Sequence, residues 1–265
     1  MITSMKDAFS VKGLNVLITG GNQGLGLGMA DAFCQCEANV AIMARNAQKG
    51  EKVAEQLKTQ YGAKVIYYQG DITKKGDPER VVENVIKDFG RIDVLINNAG
   101  ITRFFDSIDA DKNDFKDWHD VIGVDLNGTF VMSVLVAKHM RKQGWGSIIN
   151  ISSNAAEIVN LPQRMVSYST AKAGVNRMTK MLAHEWAPHK IRVNAIAPGY
   201  TESDLTPAGG EELQSYIKFW TEHTPTGRWG KPIEIGAMAV YLASDASEQI
   251  TGAVFTIDGG YSLAN

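Results

Sequence analysis

Residues 15–28 read NVLITGGNQGLGLG, an apolar run that leads directly into a glycine-rich turn. The glycines at 20, 24 and 26 follow the spacing G-x3-G-x-G. Glycine at such positions lets the backbone approach a pyrophosphate closely, and the helix that follows offers free N–H groups and the positive end of its dipole. The turn follows a first strand and precedes a helix, which predicts a dinucleotide-binding site; a purely structural turn is the alternative.

Outward from this turn, short apolar runs alternate with longer helical patterns. The runs are rich in β-branched residues and apolar on both faces, which is typical of strands in a buried parallel sheet. They span residues 15–19, 38–43, 64–68, 92–96, 147–151, 191–196 and 253–257. Helical patterns include residues 47–60, 78–89, 167–186 and 232–243. The alternation predicts a doubly wound α/β fold with a parallel sheet.

The length of 265 residues allows about two domains, but one α/β domain of this size is common, and we expect a single domain over 1–265. Residues 199–230 are the least regular stretch. A segment of that length without a strand is more often a functional lid than a passive connector, so we expect a substrate lid there.

Composition excludes several classes of function. The chain is 44% hydrophobic and 21% charged with a net charge of −2, and it has no basic stripe for nucleic acid and no polybasic segment for an anionic membrane. The sequence contains no run of 18 apolar residues, so we expect no membrane span. Its first residues contain no apolar segment, so we expect no secretory signal. Cys34 and Cys36 point to different faces of one predicted helix and cannot easily bridge, which favours a reduced, cytoplasmic setting.

Small polar motifs follow several of the predicted strands. They are NNAG (97–100), the serines of INISS (149–153) and APGY (197–200), and in open α/β folds ligands bind at this carboxyl edge. Tyr168 and Lys172 lie four residues apart in a helical pattern and therefore share a face. A tyrosine, whose reference pKa is about 10, is a poor base at pH 7, and a nearby ammonium favours its phenolate. Alone the pair would arise by chance in many helices; with the other motifs it indicates an active site.

Together these motifs resemble the short-chain dehydrogenase/reductase family over residues 9–263. The resemblance rests on TGGNQGLG (19–26), NNAG (97–100), the serine of INISS, YSTAK (168–172), RVNAIAPG (192–199) and TGAVFTIDGGY (251–261). It implies a Rossmann-like domain with a seven-stranded parallel sheet and helices on both faces. It also implies an NAD(P)-dependent oxidoreductase that acts on CH–OH groups, commonly as a homotetramer.

The resemblance carries roles onto matching residues. It implies that Ser153 orients the substrate carbonyl or hydroxyl, that Tyr168 is the general acid/base, and that Lys172 assists Tyr168 and holds the nicotinamide ribose. Ser153 is favoured over Ser152 because the family's serine is the second after the strand's last isoleucine. The expected cofactor-binding positions are Gly20, Asn22, Gln23, Gly24, Leu25, Gly26, Arg45, Asn46, Asp71, Ile72, Asn98, Ala99, Gly100, Tyr168, Lys172, Pro198, Gly199, Thr201 and Ser203.

One catalytic position departs from the family pattern. The family's fourth residue is an Asn seven positions after a Trp, and Trp118 plus seven places Asp125 there rather than Asn127. In the family this residue marks a bend whose backbone carbonyl holds a water leading to the lysine, a role that an Asp preserves. We therefore expect an active enzyme, with a non-catalytic cofactor-binding protein as the alternative.

The end of the second strand predicts the coenzyme. NAD-selective folds place an Asp or Glu there, whose charge repels a 2′-phosphate. This strand ends in AIMARN, with Ala44 at that place and Arg45 next, and Gln23 in the glycine-rich turn offers no second basic residue. Because Arg45 can pair with a phosphate, we expect NADP(H), with NAD(H) possible and a solvated surface arginine as the alternative.

The substrate class is predicted from the loop between Ser153 and Tyr168, which resembles the mannitol, sorbose and xylulose reductases and the gluconate dehydrogenases. Its polar candidates for binding a ketose, polyol or sugar acid are Asn154, Glu157, Asn160, Gln163 and Arg164. Apolar residues in the lid favour a hydroxysteroid or another bulky ketone instead; they are Leu205, Leu213, Ile217, Phe219 and Trp220. All five tryptophans are expected to pack in the core or the lid. No metal is expected, since the HExxxH stretch at 184–189 does not have the spacing of a zinc helix.

Overall fold

Seven parallel strands form one sheet in the computed structural model, which describes residues 4–202 and 211–263, with the backbone alone for 211–213. The strands are β1 (Asn15–Thr19), β2 (Asn39–Ala44), β3 (Val65–Gln69), β4 (Val94–Asn97), β5 (Gly146–Ile151), β6 (Ile191–Pro198) and β7 (Val254–Ile257). Their order across the sheet is β3-β2-β1-β4-β5-β6-β7.

Helices connect the strands. The α-helices are α1 (Met5–Ala8), α2 (Gly24–Gln35), α3 (Ala47–Tyr61), α4 (Asp77–Phe89), α5 (Lys116–Val121), α6 (Thr129–Gln143), α7 (Val166–Trp186), α8 (Glu211–Glu222) and α9 (Pro232–Ala243). A π-helical segment, Ile122–Gly128, joins α5 to α6 without a break. Short 3-10 turns cover Ser107–Asn113, Asn154–Ala156, Ala187–His189, Asp245–Ser247 and Tyr261–Leu263.

Two apolar layers enclose the sheet because neighbouring residues of a strand point to opposite faces. In β1, Ile18 packs into the cluster that includes Phe33 of α2, and its neighbour Leu17 packs into the cluster that includes Met132 of α6. Each of these side chains is fully buried. The strands are therefore apolar throughout rather than alternating, as the sequence predicts for a sheet covered on both faces.

The order of the strands fixes where a ligand can bind. The chain builds outward from β1 through β2 to β3, then returns so that β4 pairs with the other side of β1. The connections from β1 and from β4 leave the sheet in opposite directions, which opens a crevice at the carboxyl ends of the two strands.

The predicted fold class is confirmed: all seven predicted strands are present, with ends within two residues of the observed ones, and the four predicted helices agree within one residue. One expectation is wrong in part, because the stretch described as irregular contains α8 (Glu211–Glu222). The helix contains no proline or glycine, and its Trp220 is buried against Tyr200. Ser203 and Leu205 lie outside the described residues, as does the side chain of Leu213.

One continuous helical stretch, Lys116–Gln143, is long and apolar enough by length and composition to cross a membrane. It comprises α5, the π-helical segment and α6, and Met132, Val136 and Met140 on it are completely buried against the sheet. A core helix of a globular protein passes the same test, so this stretch is weak evidence for a membrane span.

Candidate active site

A cavity of about 400 Å³ lies at the crevice, lined by the loops that follow β1, β4, β5 and β6. The predicted residues that line it are Gly20, Asn22, Gln23, Gly24, Leu25, Arg45, Asn46, Asp71, Ile72, Asn98, Ala99, Gly100, Asp125, Ser153, Tyr168, Lys172, Pro198, Gly199 and Thr201. The fold thus brings together residues that are spread over most of the chain.

A larger and more open groove of about 1300 Å³ lies between α2, α3 and the start of α9. Its wall mixes acidic and basic surface residues such as Asp31, Lys52 and Glu55, and of the predicted site residues it includes Gly24 alone. Volume alone therefore does not identify the site, and the smaller cavity carries the chemistry.

The glycine-rich turn fits a pyrophosphate. Gly20 and Gly24 have positive φ angles of 66° and 51°, a conformation that favours glycine. A Cβ on Gly20 would lie 3.0 Å from Asn98 Nδ2 and 3.1 Å from Ala99 Cα, so a side chain would crowd the neighbouring loop. The first turn of α2 carries no acidic residue, which leaves its N–H groups and dipole available to an anion.

Gly26 was expected to contact the pyrophosphate together with Gly20 and Gly24. Unlike those two residues, it does not line the cavity. A Cβ there would lie 2.2 Å from the carbonyl oxygen of Gly20. Since that oxygen belongs to the backbone and cannot easily move, only glycine lets α2 pack this closely beneath the turn.

Thr19 and Asn98 fasten the glycine-rich turn to the NNAG loop. Thr19 Oγ1 accepts hydrogen bonds from the backbone N–H groups of Asn98 (3.0 Å) and Ala99 (3.1 Å). In return, Asn98 Nδ2 donates to the carbonyl oxygens of Thr19 (3.0 Å) and Gly20 (3.2 Å). Sequence reasoning missed Thr19, although its position as the last residue of β1 beside the turn was a usable signal.

The ribose end of the cavity contains more positive charge than the sequence suggested. Arg45 is exposed at the end of β2, and Asn46 Oδ1 caps α3 by accepting from Lys49 N at 2.9 Å. Lys49 Nζ donates to Gln23 Oε1 at 2.9 Å, which brings a second basic residue to the glycine-rich turn. Gln23 itself is not basic, as the sequence analysis noted, but Lys49 in the first turn of α3 reaches back to it.

Asp71 lines the cavity just beyond the end of β3. Its Oδ1 accepts hydrogen bonds from Thr73 N at 2.9 Å and Thr73 Oγ1 at 2.7 Å. Its backbone N–H donates to Asp77 Oδ2 at 3.0 Å. Asp71 is therefore held in a fixed turn that shapes the cavity wall.

Tyr168 and Lys172 project from the first two turns of α7 into the middle of the cavity. The Lys172 Nζ lies 5.4 Å from the centre of the Tyr168 ring and donates to the carbonyl oxygen of Ile151 at 2.9 Å. Ser152 Oγ donates to the Lys172 carbonyl at 3.2 Å, which occupies it in holding α7 against β5. Ser153 Oγ accepts from Ala155 N at 3.1 Å and donates to Asn154 Oδ1 at 3.5 Å, a long bond that the hydroxyl can exchange for one to a substrate.

Asp125 lies in the π-helical segment and pairs with Lys172. Its Oδ2 is 3.1 Å from Lys172 Nζ, and its Oδ1 accepts from Ile101 N at 2.8 Å. The exposed fractions are 0% for Asp125 and 4% for Lys172, so the pair is buried. Its backbone carbonyl accepts from Thr129 Oγ1 at 2.8 Å. The carboxylate itself therefore reaches the lysine, which the backbone role implied by the family resemblance did not predict.

Asn127, the neighbouring candidate, is exposed and does not line the cavity. Burial alone would lower the pKa of Lys172, but the charges of Asp125 and Tyr168 outweigh it and raise that pKa above its ordinary value. Burial raises the pKa of the Asp125 carboxyl, and the ammonium and the Ile101 N–H oppose that rise. Charges 3.1 Å apart in a buried site attract strongly, which favours the ionised pair.

Aromatic side chains form the wall farthest from the glycine-rich turn. Tyr200 stacks on Trp220 with ring centres 4.5 Å apart and planes 9° apart, and Trp229 lies 5.8 Å from Tyr200. Trp220 Nε1 donates to the Leu161 carbonyl at 3.1 Å, which ties the loop after β5 to α8. Trp220 and Trp229 thus pack against Tyr200 within the stretch expected to form a lid, and both line the cavity.

Amide side chains meet this aromatic wall. Asn160 Nδ2 donates to the Tyr200 hydroxyl at 3.3 Å, and Gln163 hydrogen-bonds the same hydroxyl at 3.1 Å. Among the described residues, five buried polar atoms of cavity-lining side chains lack a hydrogen-bond partner: Asn154 Nδ2, Asn160 Oδ1, Thr102 Oγ1, Trp229 Nε1 and Asp125 Oδ2, the last of which faces the Lys172 ammonium. Buried polar atoms are normally paired, so these atoms indicate a polar ligand.

Two predicted substrate contacts are wrong. Glu157 is exposed and accepts from Asn176 Nδ2 at 3.0 Å, and Arg164 is exposed and pairs with Asp106. Neither lines the cavity, because each is drawn outward by a partner on another element. Asn154, Asn160 and Gln163 do line it.

The comparisons with known proteins agree with this geometry. A family model described as enoyl-(acyl carrier protein) reductase matches residues 20–262. An NADP-dependent mannitol dehydrogenase of Hypocrea jecorina is 40% identical over 97% of this chain and 95% of that protein. A sorbose reductase of Candida albicans is 36% identical over 98% of this chain and 91% of that protein.

A solved structure of a gluconate 5-dehydrogenase from Burkholderia cenocepacia, in complex with NADP and tartrate, is 32% identical. It superposes with a TM-score of 0.89 and covers 98% of this chain and 99% of that chain. The fold, the cavity and these matches together define a dinucleotide-dependent oxidoreductase. The chain belongs to the short-chain dehydrogenase/reductase family.

Proposed function

We propose that this protein interconverts a ketose or keto sugar acid with the corresponding polyol or hydroxy acid, using NADP(H). The observation that supports this proposal most directly is that Tyr168, Lys172 and Ser153 line the same cavity as a group of amide side chains and stacked aromatic rings. The mannitol dehydrogenase and sorbose reductase among the relatives support this substrate class.

The chain's residues perform the proton transfer. In reduction, Tyr168 gives its hydroxyl proton to the carbonyl oxygen, and Ser153 donates a hydrogen bond to the same oxygen as negative charge develops there. Lys172 holds the nicotinamide ribose and keeps its positive charge beside Tyr168. A nicotinamide, when bound, supplies or accepts the hydride.

Replacing the catalytic tyrosine tests this assignment. Tyr168→Phe keeps the ring but removes the proton donor, so kcat for ketone reduction should fall at least about a thousandfold, within the range of general acid–base catalysis. NADPH binding, measured by calorimetry, should change little.

Tyr241→Phe is the matched control, because Tyr241 stacks on Phe9 away from the cavity and should retain full activity. A Tyr168→Phe enzyme with a tenth of the wild-type rate would contradict the role of Tyr168. A wild-type protein that binds NADPH but turns over no substrate would favour the non-catalytic cofactor-binding alternative.

NADP(H) is the proposed coenzyme because the residues at the end of β2 suit a 2′-phosphate. Ala44 occupies the position at which a carboxylate would repel that phosphate, and Arg45 follows it. Lys49 adds a second positive charge beside Gln23. The Hypocrea jecorina relative is named as NADP-dependent, which supports the same coenzyme.

Arg45→Ala should weaken NADPH binding at least about tenfold, since a hydrogen bond to a charged group contributes about 1.5–3 kcal/mol. NADH binding should change much less, because NADH has no 2′-phosphate. Lys58→Ala, which removes an exposed charge farther along α3, controls for net charge. A tenfold preference of the wild-type enzyme for NAD would refute the assignment.

The unpaired polar atoms favour a polyhydroxylated substrate. Each buried polar atom left without a partner costs about 1–3 kcal/mol, and substrate hydroxyls can satisfy Asn160 Oδ1, Thr102 Oγ1 and Trp229 Nε1. A hydroxysteroid is the second candidate, because the faces of Tyr200, Trp220 and Trp229 offer apolar area. A steroid would leave the three polar atoms unpaired.

Assays of fructose, sorbose, xylulose and 5-ketogluconate beside a keto-steroid separate these candidates. Turnover of at least one sugar substrate is expected, and Asn160→Leu should raise its KM about tenfold, equivalent to one lost hydrogen bond of about 1.4 kcal/mol. Val159→Ala, at an exposed neighbour, should leave the KM unchanged. Turnover of the steroid alone would overturn the preference for sugars.

We propose one domain over residues 1–265 with a substrate lid over about residues 199–230. Tyr200, Trp220 and Trp229 come from the proposed lid and line the cavity, which supports this assignment.

Two free cysteines, Cys34 buried and Cys36 exposed, support a reducing, cytoplasmic setting.

We also propose that this protein acts as a carbonyl reductase and that it assembles as a homotetramer. Exposed apolar side chains on α6 (Phe130 and Val131) and α7 (Met181) support association, since such surfaces mark interaction sites. Sedimentation equilibrium should give a mass of four chains, and Phe130→Glu should lower it. A monomeric wild-type protein would refute the assembly.

A further inference from the structure

Three ionisable groups lie next to one another in a row at the candidate active site. The Asp125 carboxylate is 3.1 Å from the Lys172 ammonium, and that ammonium is 5.4 Å from the Tyr168 ring centre. Within the described residues, the charged or titratable groups that act on Lys172 are Asp125 and Tyr168, and Lys172 is the one that acts on Asp125.

The carboxylate changes what the lysine can do. An ammonium beside a phenol stabilises the phenolate, but a carboxylate in contact with that ammonium cancels much of its field. The cancellation is strong here because Asp125 is completely buried and water cannot screen it. An Asn in the same place would keep the shape and the hydrogen bond from Ile101 without the charge.

We propose that Asp125 is a positioning residue that balances the charge of Lys172 and thereby keeps the Tyr168 hydroxyl protonated to higher pH. The inference rests on the proposed acid/base role of Tyr168, though not on the identity of the substrate. In reduction the carbonyl carbon receives a hydride from the reduced nicotinamide and the carbonyl oxygen receives the Tyr168 proton. The protonated tyrosine is thus the form that reduction needs, and the phenolate is the form that oxidation needs.

Loss of the carboxylate has two opposing consequences. The uncompensated ammonium should promote ionisation of Tyr168, but burial then favours loss of the Lys172 proton. We expect the first effect to prevail, because Lys172 still donates to the Ile151 carbonyl at 2.9 Å. An ordinary lysine pKa of about 10.4 also leaves a wide margin above pH 7.

The experiment compares wild type with Asp125→Asn in pH profiles of kcat/KM for both directions. The ionisation that controls both directions should move to lower pH by about one unit, the smaller end of the effect of a nearby charge. Asp125→Glu, which restores a carboxylate, should return the profile toward wild type.

A second readout needs neither cofactor nor substrate. The ultraviolet absorbance of tyrosinate is titrated in the cofactor-free protein, and the curve of the Tyr168→Phe variant is subtracted. Burial raises the pKa of Tyr67, Tyr68, Tyr200 and Tyr261, which keeps these phenols from obscuring the difference. Ionisation in Asp125→Asn should again occur about one pH unit lower than in wild type.

Asp93→Asn is the matched control for loss of a buried carboxylate. Asp93 is 4% exposed, pairs with Arg91 at 2.6 Å and lies at the opposite, amino-terminal edge of the sheet. It should lower stability without moving either pH curve. An unchanged or alkaline-shifted ionisation in Asp125→Asn would overturn the proposal and leave Asp125 with a structural role alone. Failure of the proposed function would show differently, as undiminished turnover by Tyr168→Phe.

Discussion

The buried ion pair between Lys172 and Asp125 is the constraint on which the active site depends. Burying either charge alone would be costly, so the two residues must arrive together. Lys172 also donates to the Ile151 carbonyl at the end of β5, and Asp125 accepts from the Ile101 N–H in the loop after β4. Four separate segments are thereby fixed around one contact, and a shift in any of them would leave a charge unpaired.

The π-helical segment gives that contact its geometry. It widens the helix between α5 and α6 over Ile122–Gly128, and such segments occur frequently at functional sites. Thr129 stabilises the widened turn by donating to the Asp125 carbonyl at 2.8 Å. The close approach of Gly100 completes it, because a Cβ on Gly100 would lie 2.8 Å from Asp125 Oδ2. The cofactor loop and the catalytic pair therefore depend on the same few atoms.

Periodicity and motif position were sufficient to predict the sheet and most of the residues that line the cavity. Both signals are local: a buried strand is apolar throughout, and a glycine turn between strand and helix is readable from a few neighbouring residues. The contacts that sequence reasoning missed are all long-range. Lys49 reaches Gln23, and Trp220 reaches the carbonyl of Leu161, 59 positions away. No local pattern encodes those distances.

The same limitation explains the two substrate contacts that were wrong. The loop between Ser153 and Tyr168 is polar, but polarity does not tell which way a loop side chain points. Asp106, 58 positions from Arg164, draws that side chain outward, while Tyr200 draws Asn160 inward. Asp125 was located correctly from its spacing to Trp118, yet its contact with Lys172 became visible only when the fold brought the two helices together.

The site therefore consists of two parts with different physical origins. Of the residues proposed for proton transfer, Tyr168 and Lys172 lie on α7, Asp125 on the π-helical segment and Ser153 just after β5, so regular structure fixes their positions. The amide and aromatic wall of the cavity comes from the loop after β5 and from Tyr200, Trp220 and Trp229. These parts are joined by the hydrogen bonds of Trp220 and Asn160 and by the stack of Tyr200 on Trp220. Loops tolerate substitution better than the elements that carry them. A change of substrate needs only a new wall, whereas a change at Asp125 alters the proton transfer for every substrate that the wall admits.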